Sequence, residues 1–276
     1  MASAEEEVRE IVTAESGTVA ILNKSEIDQQ IATARRYPRS TQSFLRECLG
    51  LATISEAVAD ECFYALPRDG KMIEGPSARF AEIVAHSWGN ARAGARVVDD
   101  QGEFVTAQGV FHDLEKNVAI TYEVKRRIID KYGKRYKPDM IGVTANAACS
   151  IALRNAVFKG VPKALWNSIY LETRRVAAGD AKTLATRRAD IIGALCKLGA
   201  TREQIFAVLD VKGEEDITLD HIITLKGLGN AIKEGDTTVE QAFPNPDTGD
   251  GKIASQVKRK PKDESPATND EPKEAA

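Results

Sequence analysis

Between residues 91 and 129 the apolar side chains of this chain alternate with polar ones, while on both sides of that stretch they recur at helical spacing. A period of two marks half-buried strands, and a switch of period inside one chain restricts the fold to helices flanking a sheet. The alternation predicts three strands: residues 91–98, 103–114 and 118–129. They are separated by a turn over 99–102 and by Lys116-Asn117. With Lys116-Asn117 as a two-residue hairpin turn, Glu115 pairs with Val118. One face then carries Val105, Ala107, Gly109 and Phe111 opposite Ile128, Arg126, Val124 and Tyr122. The other carries Thr106, Gln108 and His112 opposite Arg127, Lys125 and Thr121. A slip of one residue would mix the two sets, so the pattern itself argues for these faces.

The flanking segments read as helices. Ser25 is placed as an N-cap ahead of an apolar stripe at Ile27, Gln30, Ile31 and Ala34, with Pro38 beyond its end. Two shorter helices are expected over 43–49 and 55–59. Turn residues from Pro67 to Pro76 surround a short strand. Ser77 caps a helix whose stripe is Phe80, Val84 and Trp88, closed by Gly89-Asn90. After a polar loop over 130–138, a fourth short strand is expected near 140–143. A mostly buried helix follows over 146–159, and another over 163–176. The expected class is α+β, an antiparallel β-meander packed on helices.

A break near Gly179-Asp180 separates this core, residues 25–178, from a small helical module over 185–243. Thr201 to Gln204 has the capping-box pattern, Thr218 caps a third helix, and Thr237 to Glu240 suggests another box. Gly227 and Gly229, inside a helical pattern, point to close packing. Residues 1–24 read as weakly structured. Residues 244–276, rich in Pro, Asp, Lys and Glu, read as a disordered tail holding a basic cluster at Lys258, Arg259, Lys260 and Lys262. Cys48, Cys62, Cys149 and Cys196 lie among apolar neighbours without a CxxC pair, which suggests buried, reduced thiols. No uninterrupted apolar run reaches the roughly 18 residues of a membrane span, and the acidic start is unlike a signal peptide. The expectation is a cytoplasmic protein.

The formal net charge is −3, so a nucleic-acid reading has to rest on where the charges sit. They concentrate at residues 125–137: Lys125, Arg126, Arg127, Lys131, Lys134, Arg135 and Lys137, with Tyr132 and Tyr136 interleaved. Cations neutralise phosphates and aromatic faces stack on unpaired bases, which together suit a single strand. Arg92 and Arg96 on the first strand, with Arg154 and Lys159 on the following helix, extend the candidate surface. The plain alternative is a solvated strand edge guarded by lysines.

The order helix, β-meander with a basic third strand, then a helix running from Ala147 through Ala152, Leu153, Arg154, Asn155, Ala156, Val157, Phe158 and Lys159 to Pro162, resembles the core of phage single-strand annealing proteins of the RecT, Redβ and Erf type. The stretch from Ile73 to Glu82, with Trp88-Gly89-Asn90, is similar to phage proteins of this kind. The resemblance covers roughly residues 54–176. It implies annealing of complementary DNA strands without ATP or other cofactor, on a homo-oligomeric ring or filament, with the strand in a basic groove beside the meander. It also implies that the C-terminal module contacts a single-strand-binding protein or a phage exonuclease. The acidic whole chain departs from a strongly basic binder.

An enzyme alternative is a metal-dependent nuclease of the PD-(D/E)xK type, with Glu123 and Lys125 as the ExK element, Asp113 upstream and Glu82 on the preceding helix. The pairing scheme opposes it, because Asp113 and Glu123 project from opposite faces. His86, His112 and His221 are scattered, without ligand spacing to a cysteine. There is no GxxxxGK[ST] loop. A non-enzymatic structural or adaptor role, carried by the C-terminal module, is the remaining class.

Overall fold

A computed structural model describes residues 24–68, 71–180 and 182–245. Of the weakly structured start expected over 1–24, residues 1–23 lie outside the described residues and Lys24 is already helical; of the tail expected over 244–276, everything beyond residue 245 lies outside them. Helix α1 spans residues 24–36. It is followed by α2 (Thr41–Ala52), α3 (Glu56–Glu61), the hairpin β1 (Phe63–Arg68) and β2 (Lys71–Pro76), and α4 (Ala78–Trp88). The meander comprises β3 (Ala91–Asp99), β4 (Phe104–Asp113) and β5 (Val118–Arg127). Then come α5 (Pro138–Gly160), α6 (Lys163–Ala178), α7 (Leu184–Leu198), α8 (Arg202–Leu209), a single 3-10 turn, α9 (Leu219–Lys233) and α10 (Val239–Ala242). The described residues thus form an α+β protein with two small antiparallel sheets, ordered β1-β2 and β3-β4-β5.

The two faces of the meander fall as the alternation predicts, but the register does not. Val105 pairs with Arg126, Gly109 with Tyr122 and Asp113 with Val118, so the turn covers Leu114 to Asn117 rather than Lys116-Asn117 alone. The cause is Asp113. Its Oδ1 accepts the backbone N–H groups of Glu115 and Lys116, each at 3.0 Å, and closes a wider turn. Asn117 takes the positive φ that ends it, 55°. Pairing moves by two positions along the partner strand, so each residue keeps its face.

The apolar face is covered by α5. Val105, Ala107 and Ile128 form a buried cluster with Ala148 and Ala152, and a Cβ on Gly109 would lie 2.1 Å from the Ala152 carbonyl oxygen. The small residues of both elements therefore let backbone approach backbone. No strand forms near 140–143, and no helix starts as late as 146. Pro138 sits at the first helical position, where its fixed φ and missing N–H cost nothing, and the helix runs on from there. The short apolar run at 140–143 does not by itself distinguish strand from helix. By length and composition α5 is also the one described helix apolar enough to cross a membrane; here one side of it lies along the meander.

The main core gathers Phe44, Phe63, Phe80, Val84, Trp88, Phe111, Val157 and Trp166. Ser77 caps α4 as expected, accepting the Phe80 N–H. Trp88 and Trp166 are buried, with their indole N–H groups on Asp113 and the Val161 carbonyl. Ser25 lies inside α1 rather than at its cap. The α2 helix is longer than expected, because Ser40 caps it. The single short strand expected before Pro76 is a full hairpin, β1–β2.

The helices after Gly179 build a second core around Ile192, Leu195, Ile205, Ile222 and Phe243, and Ala65 of β1 belongs to it. Gly227 explains the closeness: a Cβ there would lie 2.7 Å from the Ala65 nitrogen. Asn230 donates to the carbonyls of Asp60 at 2.5 Å and Phe63 at 2.8 Å. Thr201 and Thr218 cap their helices with reciprocal boxes, His221 completing the second. The last box belongs to Thr238 and Gln241, one position later than the sequence suggests. All four thiols are free, but only Cys48 and Cys62 are buried; Cys196 is exposed on α7, contrary to expectation.

Candidate nucleic-acid interface

β5 is an edge strand of its sheet, and among the described residues no further strand pairs with its outer backbone. Along this edge runs a groove of about 880 Å³. Residues 122–126 of β5 form one wall. The β1–β2 hairpin forms the other, with Tyr64, Arg68 and Ile73. Ile151, Arg154 and Asn155 of α5 lie between them, and residues 236–244 contribute Asp236, Glu240 and Pro244. Strand edges present alternate side chains to both sides, so Lys125 of the polar face and Arg126 of the apolar face both reach this space. Its cations are Arg68, Lys125, Arg126 and Arg154; its carboxylates are Glu123, Asp236 and Glu240. Arg68 and Lys125 are exposed on the two walls.

The groove contains two aromatic rings, each topped by a cation. The Arg154 guanidinium lies 4.5 Å from the Tyr64 ring centre, and the Lys159 ammonium 5.5 Å from that of Tyr122. Such cation and ring pairs offer a flat, positively charged surface. Arg154 is only 8% exposed and forms an ion pair with Asp236 at 3.3 Å. Arg126 donates to the Gly235 carbonyl at 2.7 Å.

The sequence-derived set does not form one patch. Lys125, Arg126 and Arg154 line the groove, and Lys159 flanks it. Arg92 and Arg96 lie on the open face of the meander, level with His112 and Gln108. They share a shallow recess of about 420 Å³ with Ile27 of α1. Arg127 is on that open face too, stacked over Phe104 at 5.7 Å. The polar loop over 130–138 is a tight turn. Asp130 Oδ1 accepts the N–H groups of Tyr132 and Lys134, and Ile129 bridges to Arg135. Lys131, Lys134 and Tyr132 are exposed at its tip, Tyr132 at 82%. Arg135 instead ties the turn to the Asp100 and Gly102 carbonyls. Tyr136 packs against the Val105 and Ile128 cluster, so it is not a free stacking ring.

Asp113 and Glu123 do project from opposite faces: Asp113 shares the row of Phe111, whereas Glu123 pairs with Gln108. Asp113 is fully engaged. Arg39 holds it with a bidentate guanidinium, and Trp88 donates to it at 3.1 Å. Burial alone would raise this carboxyl, but Arg39, the Lys116 N–H and Trp88 outweigh burial and hold it below the ordinary carboxylate range. Glu82 pairs with Arg79 at 2.9 Å and lies on neither face.

Arg68, Tyr64, Tyr122 and Asp236 also line the groove, and none of them is among the binding residues that the sequence suggests. Arg68 sits at the end of β1, next to the hairpin turn, and nothing local in the sequence places it opposite Lys125. Comparison with known protein-family models, with curated proteins and with solved structures finds no match to this chain.

Proposed function

We propose that this chain binds single-stranded DNA in the groove between β5 and the β1–β2 hairpin. In our reading it anneals complementary strands without nucleotide or metal, as a non-enzymatic recombination protein of the phage annealing type that works as a homo-oligomer. The observation that carries the reading is the groove itself. It is open and lined by Arg68, Lys125, Arg126 and Arg154, with Tyr64 and Tyr122 beneath their cations. Phosphates are neutralised along such a channel, bases find ring faces, and neither contact asks for a particular sequence. An annealing protein needs that indifference, because base pairing supplies the selectivity. The ββαβββα order of the core and the arginine-bearing helix α5 support the resemblance on which the annealing step rests.

The test is annealing of two complementary oligonucleotides by the full chain in EDTA, without nucleotide. Acceleration over the protein-free rate, lost when Arg68 and Lys125 are both changed to Ala, is the expected result. Absence of acceleration at low salt, or cleavage on adding magnesium, would overturn it.

A further inference from the structure

The two innermost cations of the groove are already occupied. Arg126 donates through Nη2 to the Gly235 carbonyl at 2.7 Å and through Nη1 to the Asp236 carbonyl at 3.4 Å. Arg154 donates through Nη1 to Asp236 Oδ2 at 3.3 Å. All three acceptors belong to one turn at the C-terminal end of α9. That turn is wound tightly: Gly235 has φ of 75°, and the Asp236 N–H returns to the Ala231 carbonyl at 2.8 Å. A helix C-terminus carries partial negative charge on its last carbonyls. Asp236 adds a full one, with its side chain 4% exposed. Two guanidinium groups thus converge on a compact cluster of oxygens, the arrangement in which arginines hold a phosphodiester.

We propose that the turn at Gly235-Asp236 is a built-in surrogate for a backbone phosphate, which competes with the bound strand for Arg126 and Arg154. This rests on the reading of the groove as a strand-binding site. A strand first meets Arg68 and Lys125, which are exposed, and seats fully only when it displaces the turn from the two inner arginines. Annealing has use for such a contest, since a strand held too tightly cannot re-register on its complement.

The pair is a poor stability device. Buried ion pairs add little over apolar packing. Burial raises the Asp236 carboxyl above its ordinary range even with Arg154 and Arg126 beside it, so keeping this charge costs the fold energy.

The experiment measures binding of the full chain to a labelled oligothymidylate at several salt concentrations, for the parent, Asp236→Asn and Asp236→Glu. Asp236→Asn is expected to bind roughly three- to ten-fold tighter, with the slope of log K against log salt steeper by about one, because only Arg154 is held through the Asp236 side chain. Asp236→Glu keeps the charge and stays near the parent. Equal or weaker binding by a folded Asp236→Asn overturns the surrogate. Hydrogen exchange on the parent serves if that variant does not fold: the Asp236 amide should exchange faster when oligothymidylate is added, and unchanged or slower exchange overturns the proposal. If the parent binds and Arg68→Ala with Lys125→Ala weakens it while Asp236→Asn gains nothing, only the surrogate fails. If the parent binds no oligonucleotide at low salt, the groove reading fails with it.

Discussion

Gly109 of β4 lies against the backbone of Ala152 in α5, so closely that a methyl group on it would lie 2.1 Å from the Ala152 carbonyl oxygen and 2.7 Å from the Leu153 nitrogen. Neither neighbour is a flexible side-chain end. Gly109→Ala should therefore lever α5 off the meander and cost upwards of about 3 kcal/mol, at the severe end of overpacking. Among the described residues, nothing lies within 4 Å of the place where a methyl group on Gly94, in the same sheet, would stand. Gly94→Ala should stay within about 1 kcal/mol of the parent. Urea denaturation of the two variants checks the contrast; similar losses would mean that the contact is not tight.

Arg39 and Asp113 form the buried hub that joins the connection between α1 and α2 to the meander, with side chains 10% and 5% exposed. Arg39→Met leaves the Asp113 charge without its main partner, and a loss of about 3–5 kcal/mol is expected. Replacing Asp113 as well, by Asn in the Arg39→Met background, removes the stranded charge and should recover part of that loss. A double-mutant cycle by chemical denaturation measures the coupling, and strict additivity would contradict the hub.

Glu234 carries a pH prediction. Burial first, then the neighbouring Asp236 charge, push its carboxyl up to about 7, against the pull of Arg154 and Arg79. Glu82 adds to the upward push. The folded chain thus keeps a proton that the unfolded chain gives up near the ordinary glutamate range. Stability contributed by this group falls as pH rises from that range through about 7 and returns as pH is lowered again. Tm should increase as pH drops from about 8 to about 5.5, and Glu234→Gln should flatten that part of the curve. A variant that tracks the parent at every pH would count against the raised carboxyl.

Within the groove, position decides how much each cation matters. Lys125→Ala and Arg68→Ala should each weaken oligothymidylate binding and lower the salt slope by about one. Arg135→Ala should leave the slope alone, because this side chain is spent on the Asp100 and Gly102 carbonyls. Fluorescence anisotropy over a salt series separates these outcomes. A slope unaffected by Lys125 and Arg68 would move binding to the open face that carries Arg92 and Arg96.

The two faces of the meander are legible in the residues, because alternation is a local property and Val105, Ala107 and Phe111 follow it without exception. The register is not. It depends on one carboxylate, Asp113, turning back to bind two backbone N–H groups, and a residue string does not show where a side chain hydrogen-bonds. The start of α5 escapes the sequence for a related reason: residues 140–143 suit either period, and Pro138 is the cue that decides. Lys125, Arg126 and Arg154 are visible as candidates. Their meeting with Arg68, Tyr64 and Asp236 is hidden, since that site joins segments far apart along the chain. Tyr136 and Arg135, equivalent in sequence to Tyr132 and Lys134, are set apart by tertiary contacts alone.

The bond from Asn230 to the Phe63 carbonyl spans 167 residues of chain. On the ribosome, then, the β1–β2 hairpin emerges long before α9, the helix that covers Ala65. Until α9 is made, one wall of the groove has an apolar underside without the helix that packs on it. Chains cut short before α9 should therefore be the sticky species during synthesis, and a holding chaperone would find its target on that hairpin.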